Sequence, residues 1–183
     1  MGAAILDSLT TGKADTLRIL SSMFEEDEMP VSHLFRSQHD MPLLERKALD
    51  LAKGRILDVG AGAGCHTLAL QKQKKDVTAI DISLLSCEAM LKRGISNVQC
   101  ANIFDDRFKG EFETILLLMN GTGIAGKINN LPKLFKRLKE LLAPDGQILI
   151  DYTGDSLDIL FFSIFASVEP TSLYSTSSSN STS

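Results

Sequence analysis

The chain has no tryptophan, two tyrosines and three cysteines in 183 residues, and each scarcity removes a class of protein. Single-stranded nucleic acid is held by aromatic platforms set in basic stripes. Here the net charge is −4, and the lysines are dispersed or grouped as Lys72, Lys74 and Lys75 and as Lys133, Lys136, Arg137 and Lys139, clusters that read as solvated helix faces. A nucleic-acid partner is therefore not expected. Cys65, Cys87 and Cys100 are odd in number, lie in or beside apolar segments and lack the paired spacing of a zinc site, so neither a disulfide scaffold nor a metal is expected. They read as reduced thiols of a cytoplasmic protein. The longest mostly apolar run, Ile159 to Val168, falls well short of the ~20 residues that span a bilayer. The segment Met1-Gly2-Ala3-Ala4-Ile5-Leu6-Asp7 has no basic leader, so no signal or transit peptide is expected.

What is present is a pattern of organisation. Residues 1–53 form a leader of helical character: Leu17, Leu20, Met23 and Phe24 fall at helical spacing, and Pro42 can open a helix carrying Leu43, Leu44, Ala48 and Leu51 on one side. Between them an acidic turn, Glu25-Glu26-Asp27-Glu28, precedes an aperiodic stretch read as a packed loop. From Arg55 short apolar strands alternate with helices. Strands are expected at Ile56–Val59, Val77–Ile80, Val98–Ala101, Thr114–Met119 and Gln147–Tyr152, with helices at Cys65–Lys72, Leu84–Lys92 and Leu131–Leu142. Gly94 is placed to end the second of these helices in a left-handed turn. Nearly unbroken apolar strands imply a parallel sheet covered on both faces, a three-layer α/β sandwich whose ligands bind at the carboxyl ends of the strands.

The richest motif lies at the first of those ends. Asp58-Val59-Gly60-Ala61-Gly62-Ala63-Gly64 closes the apolar run Ile56-Leu57, and Asp81 closes the next run about 20 residues on. Glycines in a strand-to-helix turn let backbone approach a ligand, and an acidic residue on the next strand can grip two ribose hydroxyls. A dinucleotide turn needs G-x-G-x-x-G, but the third glycine here comes one residue early, which argues against a pyrophosphate.

The run Gly60 to Gly64 preceded by Asp58 resembles motif I of the class I S-adenosylmethionine-dependent methyltransferases, and Val77-Thr78-Ala79-Ile80-Asp81 resembles their motif II. The segment Gln99 to Asp105 sits where that family's third strand ends, and Leu142-Ala143-Pro144-Asp145-Gly146-Gln147-Ile148-Leu149 resembles its turn into strand five. The resemblance covers roughly residues 54–152. It implies a mostly parallel Rossmann-like methyltransferase sheet, S-adenosylmethionine as cofactor, and transfer of its methyl group to an acceptor the motifs do not identify, a small molecule or a protein, with a small molecule the leading expectation. By position it implies that the Gly60-Ala61-Gly62 backbone, with Gly64, approaches the methionine end, that Asp58 faces its ammonium, and that Asp81 accepts from the ribose. Ile82 would pack on adenine, Asn102 and the Ile103 amide would meet its edge, and Asn120 would stand between cofactor and acceptor. Residues 1–53 would cover the cofactor, and residues 54–168 would form the core.

Plainer readings stand beside these. Asp58 can cap the glycine turn, Asp81 can flank its helix, and Asn102 and Asp105 can be turn formers. Asn120-Gly121-Thr122-Gly123 lacks the Asn/Asp-Pro-Pro-aromatic signature of enzymes that methylate amino groups of nucleic-acid bases. His66 reads as a helix-start residue that packs beside the cofactor or hydrogen-bonds locally, with general base as the alternative; His33, Arg36 and His39 read as surface or packing residues. No catalytic residue is assigned. The family's closing hairpin looks missing or altered, because Leu157–Phe165 suffices for one helix or one strand and residues 169–183 are Ser/Thr-rich and expected to be disordered. Strand five would then be an exposed edge, open to homodimer formation. The functional alternatives are a non-catalytic S-adenosylmethionine-binding module and, from a different class, a nicotinamide-dependent oxidoreductase.

Overall fold

The computed structural model describes residues 1–12, 16–19, 27–119, 121–152 and 160–165. Helix α1 (Gly2–Thr11) is followed by a hairpin of β1 (Thr16–Ile19) and β2 (Asp27–Pro30), two single-turn 3-10 segments and α2 (Leu43–Leu51). Then come β3 (Ile56–Val59), α3 (Cys65–Lys72), β4 (Val77–Asp81), α4 (Leu84–Lys92), β5 (Val98–Cys100), β6 (Phe112–Leu117), α5 (Leu131–Leu141), β7 (Leu142–Tyr152) and β8 (Leu160–Phe165). The main sheet runs β5-β4-β3-β6-β7-β8. Its first five strands are parallel to their neighbours, and β8 is antiparallel to β7.

Strand alternation splits the core into two layers. Leu57, Ile115 and Leu117 pack on one face with Leu134, Leu138 and Leu141 of α5. Ile56 and Leu116 face the other way, into Ala48, Leu49 and Leu70 of α2 and α3. All of these are essentially inaccessible, and each buried aliphatic side chain is worth about 1.5 to 3 kcal/mol. The α5 stripe is legible as Leu131, Leu134, Leu138 and Leu141, with Pro132 in its first turn. Helix α4 starts where Ser83 accepts from the Ser86 N–H at 3.3 Å, and Gly94 follows it at φ +84, as the sequence predicts. Among the described residues no helix is long and apolar enough to cross a membrane.

The leader departs from the helical expectation. Leu17 lies in β1, paired in register with Met29, and both lean on the cluster of Ile5, Leu34, Ala63 and Ala89 that joins α1 to α4 and the glycine turn. The hairpin half-buries these two side chains on one face, which an isolated helix here would not do; Leu20, Met23 and Phe24 lie outside the described residues. Helix α2 forms as expected but presents another face. Leu43 and Leu51 are 60% and 51% exposed, and the buried positions are Glu45, Ala48 and Leu49. A carboxylate occupies the inward stripe because two cations wait for it there.

The sheet edge also differs. Strand five of the parallel set, β7, is expected to be open, but β8 pairs with it from Gln147↔Phe165 to Tyr152↔Leu160. The chain's own residues fill the edge on which a homodimer was expected. Residues 169–183 lie outside the described residues.

Arg137 is the remaining correction. Grouped with the solvated lysines by sequence, it is 7% exposed. Its Nε donates to the Ile103 carbonyl at 2.8 Å, and its Nη2 donates to the carbonyls of Asp105, at 3.2 Å, and of Phe108. One α5 side chain thereby pins the loop that follows β5. Arg137→Met keeps the packed stem but leaves these carbonyls unmet, so it should cost about 3 kcal/mol of unfolding free energy in a urea titration. A change below about 0.5 kcal/mol would mean that water satisfies the loop without it.

Candidate functional site

The turn between β3 and α3 is built by backbone that only glycine adopts freely. Gly60, Gly62 and Gly64 have φ of +71°, +58° and +77°. The glycines nevertheless serve different ends. A Cβ on Gly64 would stand 2.2 Å from Ile95 Cδ1 and 3.0 Å from Met90 Cγ, so Gly64 lets the turn pack against α4 and the segment after it, and it does not line the crevice described below. A Cβ on Gly62 would meet nothing closer than the Gly60 carbonyl at 4.0 Å. Its missing side chain leaves open space.

That space is fixed from the neighbouring strand. The N–H groups of Gly60 and Ala61 both donate to the Ile80 carbonyl, at 2.9 and 3.0 Å. The Gly62 N–H donates to Asp81 Oδ2 at 2.9 Å, and the Ser83 N–H donates to Asp81 Oδ1 at 2.8 Å. Asp81 therefore joins the turns after β3 and β4, and each oxygen keeps a lone pair for a further donor.

Around this junction opens a crevice of about 820 Å³. Asp58, Gly60, Ala61, Gly62, Asp81, Ile82, Asn102 and Ile103 all border it, so these expected site residues converge, whereas Asn120 lies outside the described residues. Ile82 is 72% exposed, an apolar side chain offered at the mouth. Asn102 Oδ1 accepts from the Phe104 N–H at 3.0 Å, a local turn of the kind its residue type favours, and Asp105 likewise serves a turn with Arg107. Ile103 is buried in the core.

The inner wall holds what sequence reasoning missed. Glu45 Oε2 accepts from Arg36 Nη2 and lies 2.8 Å from His66 Nε2, and all three residues are buried. Arg36 and His66 are visible as individual residues in the sequence; Glu45 is hidden because α2's leucines suggest a different inward face. Burial opposes charge on His66, but hydrogen bonds with Cys65 and Glu45 outweigh it and hold its pKa at about 10. The bond to Glu45 gives His66 the local hydrogen-bonding role expected of a helix-start residue. Burial also pushes Glu45 up, yet its bonds with His66 and Arg36 leave it below the ordinary value. Next to them Asp58 Oδ2 accepts from Thr67 Oγ1 at 2.6 Å, and burial raises the Asp58 pKa against the opposing charge of His66.

These features fit one kind of ligand. The Gly62 cradle admits backbone contact, Asp81 offers acceptors at a strand end, and Asp58 places a buried carboxyl on the wall, its pKa raised by burial. Among the described residues no cluster of His, Cys, Asp and Glu is arranged to hold a metal ion.

The fold and this crevice define a class of protein, and comparison with known proteins agrees. Residues 35–164 match the model of a family described as a methyltransferase domain. The chain therefore belongs to the methyltransferase-domain family, whose members share this class I Rossmann-like architecture. It is 56% identical to a S-adenosylmethionine-dependent methyltransferase from Bacteroides fragilis, solved in complex with S-adenosyl-L-homocysteine, with a TM-score of 0.78 over 84% of this chain. The chain spans 64% of that enzyme's length. The sugar N-methyltransferase KedS8 from Streptoalloteichus shares the fold at 20% identity and a TM-score of 0.55, covering 78% of this chain and 63% of its own. A S-adenosylmethionine-dependent methyltransferase from Clostridium acetobutylicum does so at 20% identity and a TM-score of 0.52, covering 64% and 53%. No curated protein matches the chain. Family membership leaves the oxidoreductase alternative without support.

Two outcomes follow. With its pKa raised from 6.5, His66 contributes stability that is complete below about pH 6.5 and is lost as pH rises through about 10. Glu45, lowered from 4.5, contributes above its unfolded value and loses that contribution on acidification. Thermal midpoints should fall from pH 6.5 towards 10, and His66→Gln should flatten that alkaline decline; an identical slope in the variant would contradict the pairing. Gly64→Ala should cost about 3 kcal/mol in urea unfolding, from positive φ and overlap together, while Gly62→Ala should cost only the ~1 to 2 kcal/mol of backbone strain. Equal costs would contradict the division of labour.

Proposed function

We propose that the crevice binds S-adenosylmethionine and that the chain transfers its methyl group to a small-molecule acceptor. The observation that carries this reading is the junction in which Asp81 holds Gly62 and Ser83 around open space. Its support is the 56% identical Bacteroides fragilis enzyme, which was solved with S-adenosyl-L-homocysteine.

In this reading Asp81 accepts from the ribose hydroxyls with its remaining lone pairs. The Gly60-Ala61-Gly62 backbone and Asp58 receive the methionine end, with Asp58 facing its ammonium. Ile82 covers one face of the adenine, while Asn102 and the Ile103 amide meet its edge. Asn120 stands between cofactor and acceptor in this reading, as the family resemblance implies. The bound cofactor supplies a methyl group activated on a sulfonium, so the chain's task is alignment, which alone contributes about 7 to 11 kcal/mol in well-oriented reactions. A crevice rim of Met29, Leu34, Met119 and Ile124, with no Lys or Arg among the described residues that line it, favours a small and not a polyanionic acceptor. Residues 1–53 act as the cover, since Met1, Met29, Leu34 and Pro42 line the crevice from that side. Cytoplasmic residence accords with three free thiols.

Calorimetric titration with S-adenosyl-L-homocysteine tests the assignment. Asp81→Ala should weaken binding by about 1.5 to 3 kcal/mol, roughly 10- to 100-fold. Unchanged affinity would reject the ribose role. A folded, cofactor-saturated sample that transfers no label from methyl-labelled cofactor to any small-molecule pool would instead identify a binding module.

A further inference from the structure

A second cleft, of about 570 Å³, runs along the Cys65, Leu68, Ala69 and Lys72 stripe of α3. Arg46 of α2, Lys72 at the end of α3 and Arg93 at the end of α4 converge on it, with His39 at the rim, and among the described residues no Asp or Glu lines it. In a chain of net charge −4, such a group of cations without a carboxylate is unusual.

The partners of these cations sharpen the point. Arg46 Nε is buried with no hydrogen-bond partner among the described residues. Arg93 lies over the Phe35 ring at 4.8 Å and donates through Nη1 to the Ala63 carbonyl, so among the described residues its charge meets a ring and a dipole and no carboxylate ion pair. The nearby carboxylate, Asp40, accepts from Ser37 Oγ at 2.6 Å and sits beside exposed His39. Phe35, Leu68 and Ala69 give the same cleft an apolar wall. Guanidinium groups favour phosphate oxygens, which they meet with two parallel donors, and an apolar wall suits a small organic body.

We propose that this cleft is a binding site for a phosphomonoester, with Arg46, Lys72 and Arg93 around the phosphate and Phe35 and Leu68 against the organic portion. The site stands apart from the methyltransferase reading and does not rest on it. It is linked to the glycine turn through Arg93 and Ala63, and Cys65 borders both cavities.

Calorimetric titration of the full chain with phenyl phosphate and, separately, with inorganic phosphate at low ionic strength tests the site. Phenyl phosphate should bind saturably and one-to-one, more tightly than inorganic phosphate, and should weaken as sodium chloride is added. Arg46→Gln and Lys72→Gln should each weaken it about tenfold while leaving S-adenosyl-L-homocysteine affinity unchanged. Three results would overturn the proposal: no saturable binding, binding undiminished in both folded variants (an adventitious ion only), or displacement of phenyl phosphate by S-adenosyl-L-homocysteine. The wild-type arms decide even where a variant fails to fold. Loss of S-adenosyl-L-homocysteine binding by the wild type would count against the methyltransferase reading and leave this one standing.

Discussion

The candidate site depends on one carboxylate. Asp81 ends β4, takes an N–H from Gly62 with one oxygen and an N–H from Ser83 with the other, and so locks two strand-to-helix turns together. Parallel pairing of β3 with β4 brings those turns side by side, and the Ile80 carbonyl adds two further bonds to the glycine segment. Without that tie, the Gly62 N–H would lose its partner, and three alternating excursions into positive φ would depend on the bonds of Gly60 and Ala61 to Ile80 and on packing. The tie leaves acceptor capacity over, which allows one residue to be both a brace and a ligand group.

A second electrostatic unit lies behind the first. Burying Glu45 is tolerable because Arg36 and His66 meet it directly, and this arrangement holds His66 in its charged form. Removing one member of such a group leaves an uncompensated buried charge, which is more costly than losing a surface pair. The cluster also ties α2, the segment before it and the first turn of α3 into one wall.

Much of this was legible in the chain itself. Strands β3, β4 and β6 and the helices at Cys65, Leu84 and Leu131 follow from apolar runs, because strands buried on both faces leave little sequence ambiguity; the edge strand β5, half-buried to exposed, is read from its place in the alternation. Asp58, the glycines and Asp81 could be placed together because a parallel sheet puts the ends of adjacent strands on one rim. The failures arose where tertiary contacts overrode local pattern. Leu17 reads as helical but pairs with Met29, since that pairing lets both side chains lean on the α1–α4 cluster. Leu43 and Leu51 suggest the inward face of α2, yet Glu45 takes it for the cations it meets. Arg137 is indistinguishable in sequence from its lysine neighbours, but its forked donors alone match the carbonyls of the loop below. Gly64 looks equivalent to Gly62 until the position of Ile95 is known.

The most direct test is a crystal structure of the chain grown with S-adenosyl-L-homocysteine. The account predicts the ribose hydroxyls within hydrogen-bond distance of Asp81, with the amino-acid portion over Gly62 beside Asp58. Density for the ligand elsewhere, or a ribose that leaves Asp81 untouched, would contradict it.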